Sequence, residues 1–223
     1  MARPRDPQTP SKLLAAAAEV LANEGRDAVT VRRLATEIGA STMAVYTHFG
    51  SLDDVLTALY RDGFDRFGAA LDAPPVTDDP VADWMQQGRA YRRFALENRH
   101  LYRVMFHDGL VAFCHGDDSD QEARASTFFS LLGRIEHNVA GGRWTIGDLF
   151  NAGQVVWATS HGHMSIELTG YFDALGRDAE ELFDECMVRV SVGFGDSIPD
   201  AQKSLARARG RTSDPLSNVP SSG

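Results

Sequence analysis

The sequence predicts an all-α protein, and three observations lead there. Apolar residues recur at helical spacing, as Val31, Leu34, Ala35 and Ile38 do at i, i+3, i+4 and i+7. Residues that start and stop helices stand at the ends of the periodic stretches: Thr9-Pro10, Thr30, Gly39, Ser41, Gly50 and Ser51. No convincing strand pair and no internal repeat is found along the 223 residues.

The first helix is expected from Thr9, as N-cap with Pro10 at N1, to about Asn23. Thr30 caps the second, and Gly39 supplies the left-handed residue that ends it. Ser41 caps a third, closed by Gly50. In it Val45 and Phe49 must pack back against Leu34 and Ile38, which leaves Thr42, Met43, Tyr46 and Thr47 pointing outward. Ser51-Leu52-Asp53-Asp54 resembles a capping box and opens a helix to about Leu71, with Val55, Leu59, Phe64 and Phe67 inward. The prolines of Ala73–Pro80 break the chain. Beyond them every periodic stretch predicts helix: a stripe of Trp84, Gly88, Tyr91 and Ala95, then a short segment from Asn98 or His100 through Phe106. Helical stretches 123–139, about 145–171 and 178–192 follow, with a polar loop over Gly109–Asp118.

A short helix, a glycine turn and a second helix with a polar outer face form a helix-turn-helix, whose second helix fits the major groove of B-DNA. Residues 10–60 resemble the DNA-binding head of the tetracycline-repressor (TetR) family of bacterial regulators. The resemblance rests on Asn23-Glu24-Gly25, Val29 to Ala35, Gly39-Ala40-Ser41 and Val45-Tyr46-Thr47-His48-Phe49 at the family's spacing. It implies that Thr30, Tyr46 and His48 hold phosphates. It also implies that Arg32, Thr42, Met43 and Thr47 face base edges, with Ala44 close to the groove floor. Where the family often has Lys at the start of the fourth helix, this chain has Leu52, so one phosphate contact is expected to be missing.

The resulting expectation is a flexible arm (1–8), a helix-turn-helix DNA-binding domain (9–60), a helical effector-binding and dimerisation domain (61–198) and a disordered tail (199–223), of which Ala201–Arg209 could extend a helix. The arginines of the arm and tail could touch DNA, against the plainer alternative of solvated termini.

The net charge of −9 is unevenly divided. Residues 1–52 hold six Lys or Arg and five Asp or Glu, a net of +1, so the remaining 171 residues carry −10. Such a distribution opposes unspecific nucleic-acid coating and helps the head, rather than the body, meet the phosphates. A hydrophobic content of 43% with 24% charged residues is that of a soluble globular protein, and no apolar run approaches the ~20 residues of a membrane span. No signal peptide is read at the start, so a cytoplasmic location is expected. Cys114 and Cys186 read as ordinary thiols.

Trp157 to His163 resembles the tryptophan-histidine-glycine signature of one group of TetR-like C-terminal domains, which implies a body whose last two long helices form a four-helix bundle with a second copy. The apolar surface of Phe150, Val155, Val156, Ile166, Leu168, Val190 and Phe194 agrees with a homodimer. Trp84, Tyr91, Tyr102, Met105, Phe106, Trp157, His161 and Met164 are candidates for a pocket that takes a small hydrophobic or aromatic effector, though such a stripe is more often plain core.

No cofactor is called for. His161 and His163, two apart on a helix, point about 200° from each other and cannot face one metal ion; His163 and Glu167 could, but a two-ligand pair is weak. An enzyme is disfavoured: there is no Gly-x-Ser-x-Gly, no phosphate-cradling glycine loop and no His-Glu-x-x-His. The sequence therefore predicts a transcriptional regulator, a repressor, that binds a palindromic double-stranded operator as a dimer and is released by a small effector. The alternative is a DNA-binding dimer without an effector, constitutive or controlled by a protein partner.

Overall fold

The computed structural model describes residues 7–106 and 118–211. Most of the expected arm, residues 109–117 of the expected loop, with Cys114, and residues 212–223 of the expected tail lie outside the described residues. Among the described residues there are eleven α-helices and no strand: α1 (Thr9–Glu24), α2 (Val31–Glu37), α3 (Thr42–Phe49), α4 (Leu52–Asp72), α5 (Pro80–Glu97), α6 (Arg99–Phe106), α7 (Asp118–Ala140), α8 (Leu149–Glu167), α9 (Tyr171–Ala174), α10 (Ala179–Gly193) and α11 (Ile198–Arg211). None is long and apolar enough to cross a membrane. α1 begins one residue earlier than expected: Gln8 takes the N-cap position and Thr9 is helical, because the Gln8 carbonyl accepts the first bond from Lys12 N at 3.0 Å.

Two compact units divide these helices. The first contains α1 to α3, α4 as far as Phe67, and α6. Its core starts from alanine-rich α1, whose Ala17, Val20 and Leu21 are buried with Leu34 and Val45. α6 packs on α1, so this segment, expected in the body, belongs with the head. The cause is aromatic. The Phe106 ring meets Phe64 and Phe67 edge-on at 5.6 and 5.9 Å, and Tyr102 lies 4.8 Å from Phe106. Gly63 permits the approach of α4 to α6, since a Cβ there would stand 2.9 Å from Met105 Sδ.

In the second unit the core surrounds Trp84 and Trp144, whose rings cross at 78° with centroids 4.9 Å apart. Val81, Met85, Ile135, Val156, Phe183 and Met187 complete it. Trp144 Nε1 donates to Ser191 Oγ at 2.9 Å, which satisfies the one polar atom of a buried indole. Asp178 caps α10 by accepting from the amides of Glu180 and Glu181.

The tail expected from residue 199 is helical as far as Arg211, and Ala201 and Ala208 are buried. Two buried carboxylates hold it. Asp79 accepts from Ser204 Oγ at 2.9 Å and Arg207 Nη1 at 2.8 Å; Asp184 accepts from Arg209 Nε at 2.7 Å and from Arg89. Burial would raise the Asp79 carboxyl, but hydrogen bonds from Ala82, Ser204 and Arg207 and the charge of Arg143 outweigh it and hold the group below its ordinary value. Arg207 and Arg209 are thus structural ion-pair partners rather than free cations of a solvated tail.

Candidate nucleic-acid interface and effector residues

The helix-turn-helix is built as its local chemistry demands. Thr30, in extended conformation, caps α2 by accepting from Arg33 N at 3.1 Å, which leaves the hydroxyl proton of Thr30 available. At the other end Gly39 has φ +64°, with Gly39 N donating to Thr36 O and Ala40 N to Ala35 O at 2.8 Å. These are the paired bonds of a glycine-terminated helix, and they turn the chain directly into α3. Ser41 stands at the N-cap of α3, yet its hydroxyl makes no capping bond; only its carbonyl is used, by Ala44 N at 2.9 Å. Gly50, at φ +85°, ends α3.

Val45 is wholly buried and Phe49 half-buried, so α3 packs by the face expected. The opposite face carries Thr42, Met43, Tyr46 and Thr47, all exposed, with Met43 at 66% and Tyr46 at 49%. Ala44 and His48 are half-buried at its margin. Thr47 Oγ1 donates to Met43 O at 2.7 Å, inside the helix itself.

The two arginines of α2 differ. Arg33 binds Glu24 and Glu37, each at 2.9 Å, whereas Arg32 is exposed and engaged in no ion pair among the described residues. Arg26 donates to Val29 O and pairs with Asp53, joining the approach to α2 with the start of α4. That start is capped as expected: Asp54 N donates to Ser51 Oγ at 3.1 Å, and Ser51 Oγ donates to Asp54 Oδ2 at 2.6 Å.

The eight candidate effector residues fall in different units. Tyr102, Met105 and Phe106 belong to the first, where Tyr102 and Met105 are completely buried. In the second, Trp84 and Met164 are buried core. Tyr91, Trp157 and His161 form a small polar and aromatic group there. Tyr91 Oη lies 3.4 Å from His161 Nδ1, and the His161 ring stacks on the partly exposed Trp157, 4.9 Å away and 6° from parallel.

His163 Nε2 lies 3.3 Å from Glu167, next to a chain of ion pairs that runs from Glu167 through Arg92, Glu180 and Arg89 to Asp184. Among the described residues no group of three or more His, Cys, Asp or Glu could hold a metal ion. A cleft of about 480 Å³ in the first unit, lined by α1, α4 and α6 residues such as Ser11, Leu14, Asp62, Arg66 and His100, was not foreseen. Its only sequence signal is the small residues of α1.

The profile described as bacterial regulatory proteins, tetR family, matches residues 13–59, and that described as tetracyclin repressor-like, C-terminal domain, matches residues 84–190. The chain belongs to the TetR family: it is a DNA-binding transcriptional regulator. An uncharacterized HTH-type transcriptional regulator of Mycobacterium tuberculosis, Rv0681, is 26% identical over 181 residues, 78% of this chain and 76% of that protein. A Rhodococcus sp. RHA1 protein of unknown function superposes with a TM-score of 0.74 at 26% identity, over 88% of this chain and all of the other. The fold is also that of RolR, solved in complex with resorcinol, at a TM-score of 0.54 and 20% identity over 90% and 94% of the two chains.

Proposed function

We propose that this protein is a cytoplasmic repressor that binds a palindromic operator as a homodimer and is released by a small organic effector. The observation that carries the DNA-binding mode is the outer face of α3. Four exposed side chains on one helix stand beside the unpaired Arg32, and the inner face is closed by Val45. In this mode α3 enters the major groove, Arg32, Thr42, Met43 and Thr47 meet base edges, and Ala44 lies close to the groove floor. Thr30, through its free hydroxyl proton, and Tyr46 and His48 hold the phosphates.

Dimerisation is assigned to α8 and α10. Val155, Thr159, Cys186, Val190 and Phe194 line an open groove there, and Phe150 and Ile166 are exposed on the same two helices' unit. A second copy related by a two-fold axis would cover them and set two heads for half-sites about 34–36 Å apart.

The effector is proposed to be small and aromatic, meeting Tyr91, Trp157 and His161, which offer a stacking surface and two polar atoms. The resorcinol complex of a protein of this fold supports such a ligand class. The alternative, an effector-free DNA-binding dimer, is distinguished by one experiment. DNA fragments bound from the source genome are selected, and small aromatic compounds are screened by thermal shift. A hit is then titrated with and without operator. The affinities should differ by the factor by which the ligand weakens operator binding, about 2.7 kcal/mol for 100-fold. Equal affinities leave the effector-free alternative.

A further inference from the structure

We infer that α3 recognises its operator chiefly through thymine methyl groups, so that each half-site carries thymines at the steps this helix faces. The inference rests on the proposed entry of α3 into the major groove.

Bidentate base contacts are made by Arg, Lys, Asn and Gln, and cytosine is met by Asp or Glu. α3, Thr-Met-Ala-Val-Tyr-Thr-His-Phe, contains none of these six residue types. Its outward surface is apolar where it projects farthest. Met43 offers an exposed thioether and methyl, and the half-buried Ala44 a methyl beside it. Thr47 would bring a hydroxyl, but that hydroxyl donates to Met43 O at 2.7 Å, which commits its proton to the helix and leaves the exposed side chain with a γ-methyl and an oxygen that can only accept. Tyr46 and His48 are assigned to the backbone, and Thr42 at the first helical position supplies one hydroxyl.

Of the groups that the major groove displays, the apolar one is the C5-methyl of thymine. Apolar contacts from Met43, Ala44 and Thr47 therefore discriminate A·T steps by the presence and side of that methyl. On the DNA-reading surface assigned above, Arg32 on α2 alone can bind guanine O6 and N7 together, so guanine preference should be confined to its position.

The test begins with operators selected from a randomised duplex pool. Each thymine of a half-site is replaced singly by deoxyuridine, which keeps the pairing and hydrogen-bonding edges and removes only the methyl. At least two replacements should weaken binding, each about fourfold, as expected for burial of one methyl-sized group. Met43→Ala should abolish the loss at one of them. Thr47→Val, which keeps a γ-methyl and lacks the hydroxyl, should retain the deoxyuridine loss at another, and Thr47→Ser, which keeps the hydroxyl and lacks the methyl, should lose it there. An enriched operator whose deoxyuridine forms all bind as well as the parent overturns the inference alone. So does a Thr47→Val protein that loses base preference while Thr47→Ser retains it. A pool that yields no enriched sequence contradicts the operator proposal as well.

Discussion

Arg33 binds Glu24 across 2.9 Å while its neighbour Arg32 extends from the same turn of α2 with no anionic partner among the described residues. Adjacent residues on a helix point about 100° apart, so one guanidinium is used inside the head and the other is left for a ligand. Replacing Arg32 by Ala should relax preference at one operator position, at a cost of about 1–3 kcal/mol there. Tyr46→Phe, which removes the hydroxyl proposed to hold a phosphate, should weaken all sequences by a similar factor. Gel shifts on a panel of single-base operator variants separate the two patterns, and a uniform loss for Arg32→Ala would count against base reading.

The proposed two-fold arrangement predicts that Val190→Asp with Phe194→Asp gives a monomer with a folded head and no operator binding. Both residues line the groove on α10 and its end. Light scattering supplies the test. A wild-type protein that stays monomeric at micromolar concentration would remove the basis for palindromic binding.

Asp184 is almost wholly buried and accepts from Arg89 Nη1 at 2.7 and 2.6 Å and from Arg209 at 2.7 Å. Arg89 is itself largely buried. Asp184→Ala leaves that guanidinium without its main partner, and losing one side of a buried pair costs roughly 3–5 kcal/mol. Urea unfolding should show the loss, and a change under 1 kcal/mol would mean that water or Glu180 compensates fully.

The stability of the second unit should fall on mild acidification. Burial lowers the pKa of His163, and this outweighs the opposing Glu167 carboxylate, while Arg92 acts with the burial. Phe172 and Phe183 flank the ring, each centroid 5.0 Å away. A folded value below the ordinary one of about 6.5 means that the unfolded chain takes up the proton first. The contribution of neutral His163 is therefore intact above about pH 6.5 and is lost as pH falls toward the folded value. His163→Gln should flatten the melting temperature between pH 7.5 and 5.5, and parallel curves for the two proteins would refute the assignment.

The head was legible because its signals are local. Thr30, Gly39 and Gly50 act within one turn, and the period of Val31, Leu34, Ala35 and Ile38 selects the packed face. What escaped notice depends on distant partners. Arg207 and Arg209 look solvated in a polar tail, whereas Asp79 and Asp184, 128 and 25 residues earlier, hold them in ion pairs. The short α6 reads as part of the body until Phe106 is seen against Phe64 and Phe67. Trp84 and Met164 have the spacing of pocket residues and the burial of core, a distinction that periodicity does not contain.

Sequence-specific DNA binding is tested most directly by titrating the selected operator and a shuffled duplex of equal length with the purified protein, in the same buffer at about 0.15 M salt. The operator should bind at least 10³-fold more tightly, the lower end expected for specific over non-specific binding. Removing the outer face of α3 by Met43→Ala, Tyr46→Ala and Thr47→Ala together should bring the two affinities close to each other. Equal affinity of the unaltered protein for both duplexes would contradict the assignment of α3 as a reader of sequence.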